Sequence, residues 1–254
     1  SFILGHLNEF IWANLRGLVY SINTCLHLIK YKNSPEVIIY TRTWHLLFIY
    51  MLFKKIGLVD NKIFYESHKL SKSIVKIISK IDGLVVINQY LNNLYKKSNI
   101  KQVLTAHDGV NIEEYKDIST YKFMPNKKQY TILYTGSLFS WKGVETLVDC
   151  MKYLPKNFNL VCIGGRGKYL SNFKSYTSKV LESSRIRVVA HMPKGGLLKY
   201  IEIADVLVLP NSAKDKMSLY TSPIKLFEYM ASHRPIVAPN LSSISEVLSN
   251  KNSF

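Results

Sequence analysis

The chain has 254 residues, 47% hydrophobic and 20% charged, and its 34 Lys and Arg against 17 Asp and Glu give a net charge of +17 and a pI near 9.6. That composition is globular rather than disordered and suffices for one large or two ordinary domains, of which two are expected. The basic excess favours anionic partners (nucleic acid, acidic lipid or phosphorylated small molecules), yet it forms no tail: residues 1–125 hold 16 basic and 9 acidic side chains, and residues 126–254 hold 18 and 8.

Cys25, Cys150 and Cys162 have no paired spacing and the histidines are scattered, so no disulfide framework or structural metal is expected, and a reducing, cytoplasmic setting is the simpler inference. The longest apolar run, residues 44–53, ends at Lys54 and Lys55 and is about half the ~20 residues that cross a bilayer. The chain opens on Ser1 rather than Met and stops at Phe254 just after a helical pattern, so an internal segment of a longer protein is expected.

From residue 10 to about 31, Ile11, Trp12, Leu15, Leu18, Val19, Ile22, Leu26 and Ile29 recur at three- and four-residue steps, the stripe of an amphipathic helix. Residues 37–40 are a short β-branched run of the kind buried in a parallel sheet, and residues 44–56 return to helix, ended by Gly57. A second strand at 62–65 delivers Glu66 and His68 to its C-terminal end, where ligands gather in open α/β sheets. Helix 70–80, strand 83–87, helix 89–97 and strand 102–105 complete a wound βαβα pattern, and the polar stretch 117–128 reads as an interdomain linker. The expected domains are therefore residues 1–118 and 126–254.

The second half repeats the pattern. Strand 130–134 is followed by a turn containing Gly136, Ser137 and Lys142, then by helix 144–153; strand 159–163 is followed by Gly164, Gly165, Arg166 and Gly167. Gly136 permits close backbone approach to a ligand, and Lys142 offers a point charge at a helix start. The glycine cluster fits neither the spaced dinucleotide fingerprint nor a Walker loop, so by itself it reads as a tight strand-to-helix turn, with Arg166 at the surface. Helix 169–181, strand 186–190, helix 194–204 and strand 205–210 lead through a polar loop to Ser222 and Pro223, a helix start whose free N–H groups favour a phosphate. Glu228, about a turn and a half further on, can accept two hydrogen bonds from a vicinal diol such as a ribose. Residues 235–238 read as the last strand, and Ser242, Ser243 and Glu246 as a capping box.

Taken in order, these pieces resemble the family 4 glycosyltransferases, retaining enzymes of the two-domain GT-B fold. The matching stretches are 134–143 (Tyr-Thr-Gly-Ser with Trp-Lys-Gly), 161–165 (Val-Cys-Ile-Gly-Gly), 204–210 (Ala-Asp-Val-Leu-Val-Leu-Pro) and 222–231 (Ser-Pro-Ile-Lys-Leu-Phe-Glu-Tyr-Met-Ala), with 235–238. Residues 65–68 (Tyr-Glu-Ser-His) and the Asp-Gly-Val turn at 108–110 extend the resemblance, which covers roughly residues 35–250. It implies an α/β fold of two Rossmann-like domains facing across a cleft, the N-terminal one incomplete. It also implies transfer of a hexose from a UDP-, GDP- or ADP-sugar to a glycan or glycolipid hydroxyl, without metal or cofactor and with no nucleic-acid partner. The setting would be cytoplasmic, with the basic charge suited to the inner face of the membrane.

On this resemblance Glu228 holds the ribose, while Gly136, Ser137, Lys142, Gly164, Gly165, Ser222, Pro223, Ile224 and Lys225 surround the nucleotide and its diphosphate. His68 stands beside the reacting sugar and Glu66 orients it. The chain departs from the family at Tyr220, which stands eight positions before Glu228 where a glutamate is common, and at Ser137, where an arginine is frequent. The competing expectations are a non-catalytic nucleotide-binding relative, a nucleotide-sugar epimerase, and a basic protein that binds nucleic acid or a membrane surface.

Overall fold

The structure, a computed structural model, describes residues 2–71, 74–97, 102–119, 122, 124, 126–212, 219, 224–249 and 251–253, with side chains from residue 11 onward. It divides into two compact units, Ser1–His107 and Asp108–Phe254, with the division ahead of the polar stretch read as a linker.

The first unit contains α1 (Phe2–Leu28), β1 (Ile38–Thr41), α2 (Trp44–Lys55), β2 (Lys62–Ser67), α3 (Val75–Ile78), β3 (Gly83–Val86), α4 (Gln89–Lys97) and β4 (Val103–Thr105). Its four strands pair in parallel in the order β1-β2-β3-β4, as the alternation of short β-branched runs and helical stripes requires. Two helices differ from their expected lengths. The first begins well before residue 10, and the segment read as helix 70–80 holds only the single turn of α3 among its described residues.

The second unit contains β5 (Tyr130–Thr135), α5 (Val144–Cys150), β6 (Phe158–Ile163), α6 (Gly167–Val180), β7 (Ile186–Val189), α7 (Lys194–Ile203), β8 (Val206–Val208), α8 (Ile224–Ala231), β9 (Ile236–Val237) and α9 (Ser242–Ser245). Its parallel sheet runs β7-β6-β5-β8-β9, so the winding reverses at β5 and helices cover both faces. Alternate residues of β5 show this directly: Ile132 and Tyr134 pack with Leu147, Val148 and Phe173 of α5 and α6, while Leu133 packs with Ile201, Leu226 and Tyr229 of α7 and α8. Leu241 rather than Ser242 or Ser243 stands at the N-cap of α9 and makes no side-chain cap bond, so the expected capping box does not form there.

The register of β5 against β8 is pinned by a buried carboxylate. Asp205 accepts from Lys127 Nζ at 2.9 and 2.8 Å and from the Thr131 backbone N–H at 2.7 Å, and its side chain is only 8% exposed. Asp205→Asn keeps the shape but loses the charge that both donors face, so it is expected to cost about 1.5–3 kcal/mol, read as a lower urea midpoint at unchanged slope.

Candidate functional site

The C-terminal ends of β5, β6 and β7 are stitched together by backbone bonds: Gly136 N–H donates to Ile163 O at 2.9 Å, and Gly164 N–H donates to Val189 O at 3.0 Å. The Tyr134 hydroxyl donates to Ser137 O at 2.7 Å and holds the following loop, while the Thr135 N–H donates to the buried Tyr229 hydroxyl at 2.9 Å and ties α8 to the end of β5.

Two cavities open over these strand ends. The larger, about 450 Å³, is lined among others by Phe139, Gly164, Gly165, Arg166, Tyr169 and His191. The smaller, about 240 Å³, is lined among others by Lys142, Asn211, Ile224 and Ser243. Both are also lined by Thr135, Gly136, Ser137 and Lys225, so they adjoin along one wall.

Seven of the expected donor-side residues (Gly136, Ser137, Lys142, Gly164, Gly165, Ile224 and Lys225) therefore line one or both openings. Glu228 lines neither; one turn along α8, its side chain is 14% exposed and its Oε2 accepts from Lys225 Nζ at 2.5 Å. Ser222, Pro223 and Tyr220 lie outside the described residues. Tyr169, His191 and Met192 line the larger cavity without having been singled out, although each follows a strand end, which is where the topology of a wound sheet directs a search. Arg166 is exposed, as expected, yet stands at the rim of that cavity.

The electrostatics of the smaller cavity are set by two lysines. Burial holds the Lys142 ammonium below the ordinary lysine value, and the charge of Lys225 pushes it the same way. Lys142 Nζ also lies 4.1 Å from the centre of the Trp141 ring, whose face partly offsets the lost water. Lys225, though paired with Glu228, still pushes on Lys142, and an anion entering the opening gains from both lysines.

In the first unit, Glu66 and His68 belong to a cluster of four side chains at the ends of β1 and β2. His68 Nε2 lies 2.6 Å from Glu66 Oε1, the Tyr40 hydroxyl donates to Glu66 Oε2, and Arg42 Nε lies 3.3 Å from Glu66 Oε1. Partial burial pushes the Glu66 carboxyl up, but the hydrogen bonds from Tyr40 and His68 and the charge of Arg42 outweigh it and hold the carboxyl below its ordinary range. An ionised carboxylate only accepts, so His68 Nε2 carries a proton, and Nδ1 faces Arg42 Nη2 at 3.5 Å.

A depressed carboxyl contributes stability that is complete above its unfolded value and lost as pH falls through the folded one. Between pH 7 and pH 3 the wild type is therefore expected to lose more stability than Glu66→Gln, a difference that urea midpoints across that range would measure. Parallel midpoints for the two proteins would mean that Glu66 is not held by this cluster.

Among the described residues no group of three or more His, Cys, Asp or Glu side chains is placed to hold a metal ion, and no helix is long and apolar enough to cross a membrane.

Two parallel sheets with a basic, glycine-lined opening at the strand ends of the second define an α/β protein of the GT-B type, and its solved structural neighbours are of that type. The chain belongs to the glycosyl transferases group 1 family, whose profile matches residues 116–253. Two uncharacterized glycosyltransferases of Methanocaldococcus jannaschii are similar to it: MJ1178, 21% identical over 66% of this chain and 42% of its own length, and MJ1069, 28% identical over 48% of this chain and 36% of its own. The chain thus spans less than half the length of these curated relatives.

Among solved structures, Anabaena HepE in complex with UDP superposes with a TM-score of 0.70 at 13% identity, over 91% of this chain and 65% of that one. A glycosyltransferase from Rickettsia africae superposes with a TM-score of 0.67 at 17% identity, over 92% and 65%. At such identities the likeness concerns the fold.

Proposed function

We propose that the chain is part of a retaining, family 4-type hexosyltransferase that takes its sugar from a nucleoside diphosphate and gives it to a glycan or glycolipid hydroxyl. The observation that carries this reading is the pair Lys142 and Lys225, which line one small cavity beside Gly136 and Ile224, with Glu228 one turn behind. Lys142 and Lys225 would take the diphosphate charge and Glu228 the ribose hydroxyls. The wall of Gly136 and Gly164 lets the nucleotide approach backbone rather than side chains.

In the transfer, the acceptor oxygen bonds to the anomeric carbon as its bond to the diphosphate breaks. The electron pair leaves on the phosphate oxygen, which also takes the acceptor proton. The two lysines stabilise that developing charge and no cofactor beyond the donor is needed in this scheme. Glu66 and His68 are assigned to the acceptor half of the reaction, with Glu66 holding the imidazole in one tautomer. The donor in this reading is a UDP-, GDP- or ADP-sugar; UDP, bound in the HepE structure, is the first to try. A role in surface glycan or glycolipid synthesis, at the cytoplasmic face of the membrane, fits the basic charge of +17.

Melting temperatures with UDP, GDP and ADP, each paired with its nucleoside, test the reading. One diphosphate is expected to stabilise the protein and its nucleoside far less, because binding the native state raises stability with ligand concentration. Lys142→Met is expected to weaken the diphosphate by about tenfold and leave the nucleoside unchanged, the loss of one charge-assisted contact. If no diphosphate raises the melting temperature, this is not a donor site.

A further inference from the structure

The two lysines reach the smaller cavity from different segments, Lys142 from the turn after β5 and Lys225 from the first turn of α8. Their separation therefore depends on how α8 is set against the end of β5. Leu226 and Tyr229 point inward from the helix and are fully buried, while Lys225 and Glu228 form the adjoining stripe. The inward pair packs among Leu133, Ile163 and Leu209. Apolar burial of that kind is non-directional: it presses a helix onto a sheet without fixing its height.

The end of β5 has run out of strand partner on that side. N–H groups along a strand point alternately to its two neighbours, and Gly136 N–H goes to Ile163 O after β6, so Thr135 N–H points the other way, toward β8. The pairing of β5 with β8 stops at Leu133 and Leu207. Thr135 is 1% exposed, where an unpaired amide is costly. The Tyr229 hydroxyl takes the place of the strand: Oη accepts from Thr135 N–H at 2.9 Å and lies 3.1 Å from Thr135 Oγ1, with which it shares a proton. Burial pushes the phenol well above its ordinary range, so it stays protonated and serves as donor and acceptor at once.

We propose that Tyr229 is a positioning residue for the phosphate-binding lysines: its hydroxyl, bonded to the end of β5, sets α8 at one height and so places Lys225 at the cavity that Lys142 also lines. A slide of α8 by about 1.5 Å, the rise of one residue, is enough to break the bond. Thr135 lines both cavities, so the bond lies in the wall they share. The Tyr134 hydroxyl secures the next stretch of that wall, through Ser137 O, from the opposite face of β5. The consequence for ligand binding rests on the donor reading, whereas the setting of α8 does not.

Tyr229→Phe keeps the ring in the core and removes the hydroxyl. In hydrogen exchange, the amides of residues 228–231 are expected to accelerate about tenfold or more relative to those of residues 160–162 in β6, which report opening of the whole unit. Well below the melting transition, the diphosphate that the wild type prefers among UDP, GDP and ADP is expected to bind Tyr229→Phe about tenfold more weakly. Ile201→Val trims the same core by one methyl group and lines neither cavity, so it should lower the melting temperature yet leave that binding within about twofold. Equal acceleration in α8 and β6, or unchanged binding by Tyr229→Phe, overturns the proposal and leaves a hydroxyl that only stabilises the fold. If the wild type binds no diphosphate, the donor reading fails, and the exchange ratio by itself then decides whether Tyr229 sets α8.

Discussion

Glu228→Ala is expected to weaken binding of the preferred nucleoside diphosphate by roughly 100-fold, the loss of two charge-assisted hydrogen bonds worth together about 3 kcal/mol or more. The side chain sits on α8 one turn beyond Lys225 and is paired with it at 2.5 Å, so its carboxylate is already largely out of water and oriented. An acceptor held in that way gives a ribose more than a mobile surface glutamate would, because little further ordering is required. Removing the carboxylate also frees Lys225, whose charge already pushes on Lys142, but the half-exposed lysine end of the pair can be resolvated, which limits the cost to stability. The decisive comparison uses the 2′-deoxynucleotide. Wild type should discriminate against it, and Glu228→Ala should bind both forms alike, since two changes that remove one contact do not add. Undiminished discrimination in the variant would take the ribose away from Glu228.

The parts of this molecule that were legible in its sequence are those specified by neighbours in the chain. Residues 37–40, 62–65 and 159–163 announce strands because β-branched runs suit a pleated surface, and their order with intervening helical stripes gives two wound sheets. Gly136, Gly164 and Lys142 line the openings, and their cues are local: a glycine directly after a strand, and a lysine just before a helix. Contacts between distant segments were not legible. Tyr40 and Arg42 reach Glu66 and His68 only through the register that sets Tyr40 beside Phe64 and Thr41 beside Tyr65, and nothing local states that register. Lys127 and Asp205 meet across 78 positions for the same reason. The pair Lys225 and Glu228 is local, at the i,i+3 spacing that brings side chains together on a helix, so a carboxylate there has a lysine partner as well as a role open to a diol.

Gly164→Ala tests whether the strand ends that frame both cavities are as close as they stand. Gly164 has φ of +146°, a backbone conformation that side chains disfavour, and a Cβ there would lie 1.7 Å from the Gly136 carbonyl oxygen. Neither partner can retreat cheaply, since Gly136 N–H is bonded to Ile163 and Gly164 N–H to Val189, and moving either breaks the stitching between β5, β6 and β7. The expected cost is more than about 4 kcal/mol, in the range reserved for core disruption. Gly57→Ala supplies the control: its φ is +74° and nothing lies within 4 Å of a built Cβ, so only the left-handed conformation is penalised, at about 1–2 kcal/mol. Trp141 is the tryptophan of the second unit, so its fluorescence in a Trp12→Phe, Trp44→Phe background reports that unit's urea transition. The control is read in the first unit from Trp44, with Trp12 and Trp141 replaced. Were Gly164→Ala no costlier than Gly57→Ala, the backbone of β6 could not be pressed against Gly136. The shared wall would then have to be formed by side chains, and the direct backbone approach that the nucleotide reading uses would be lost with it.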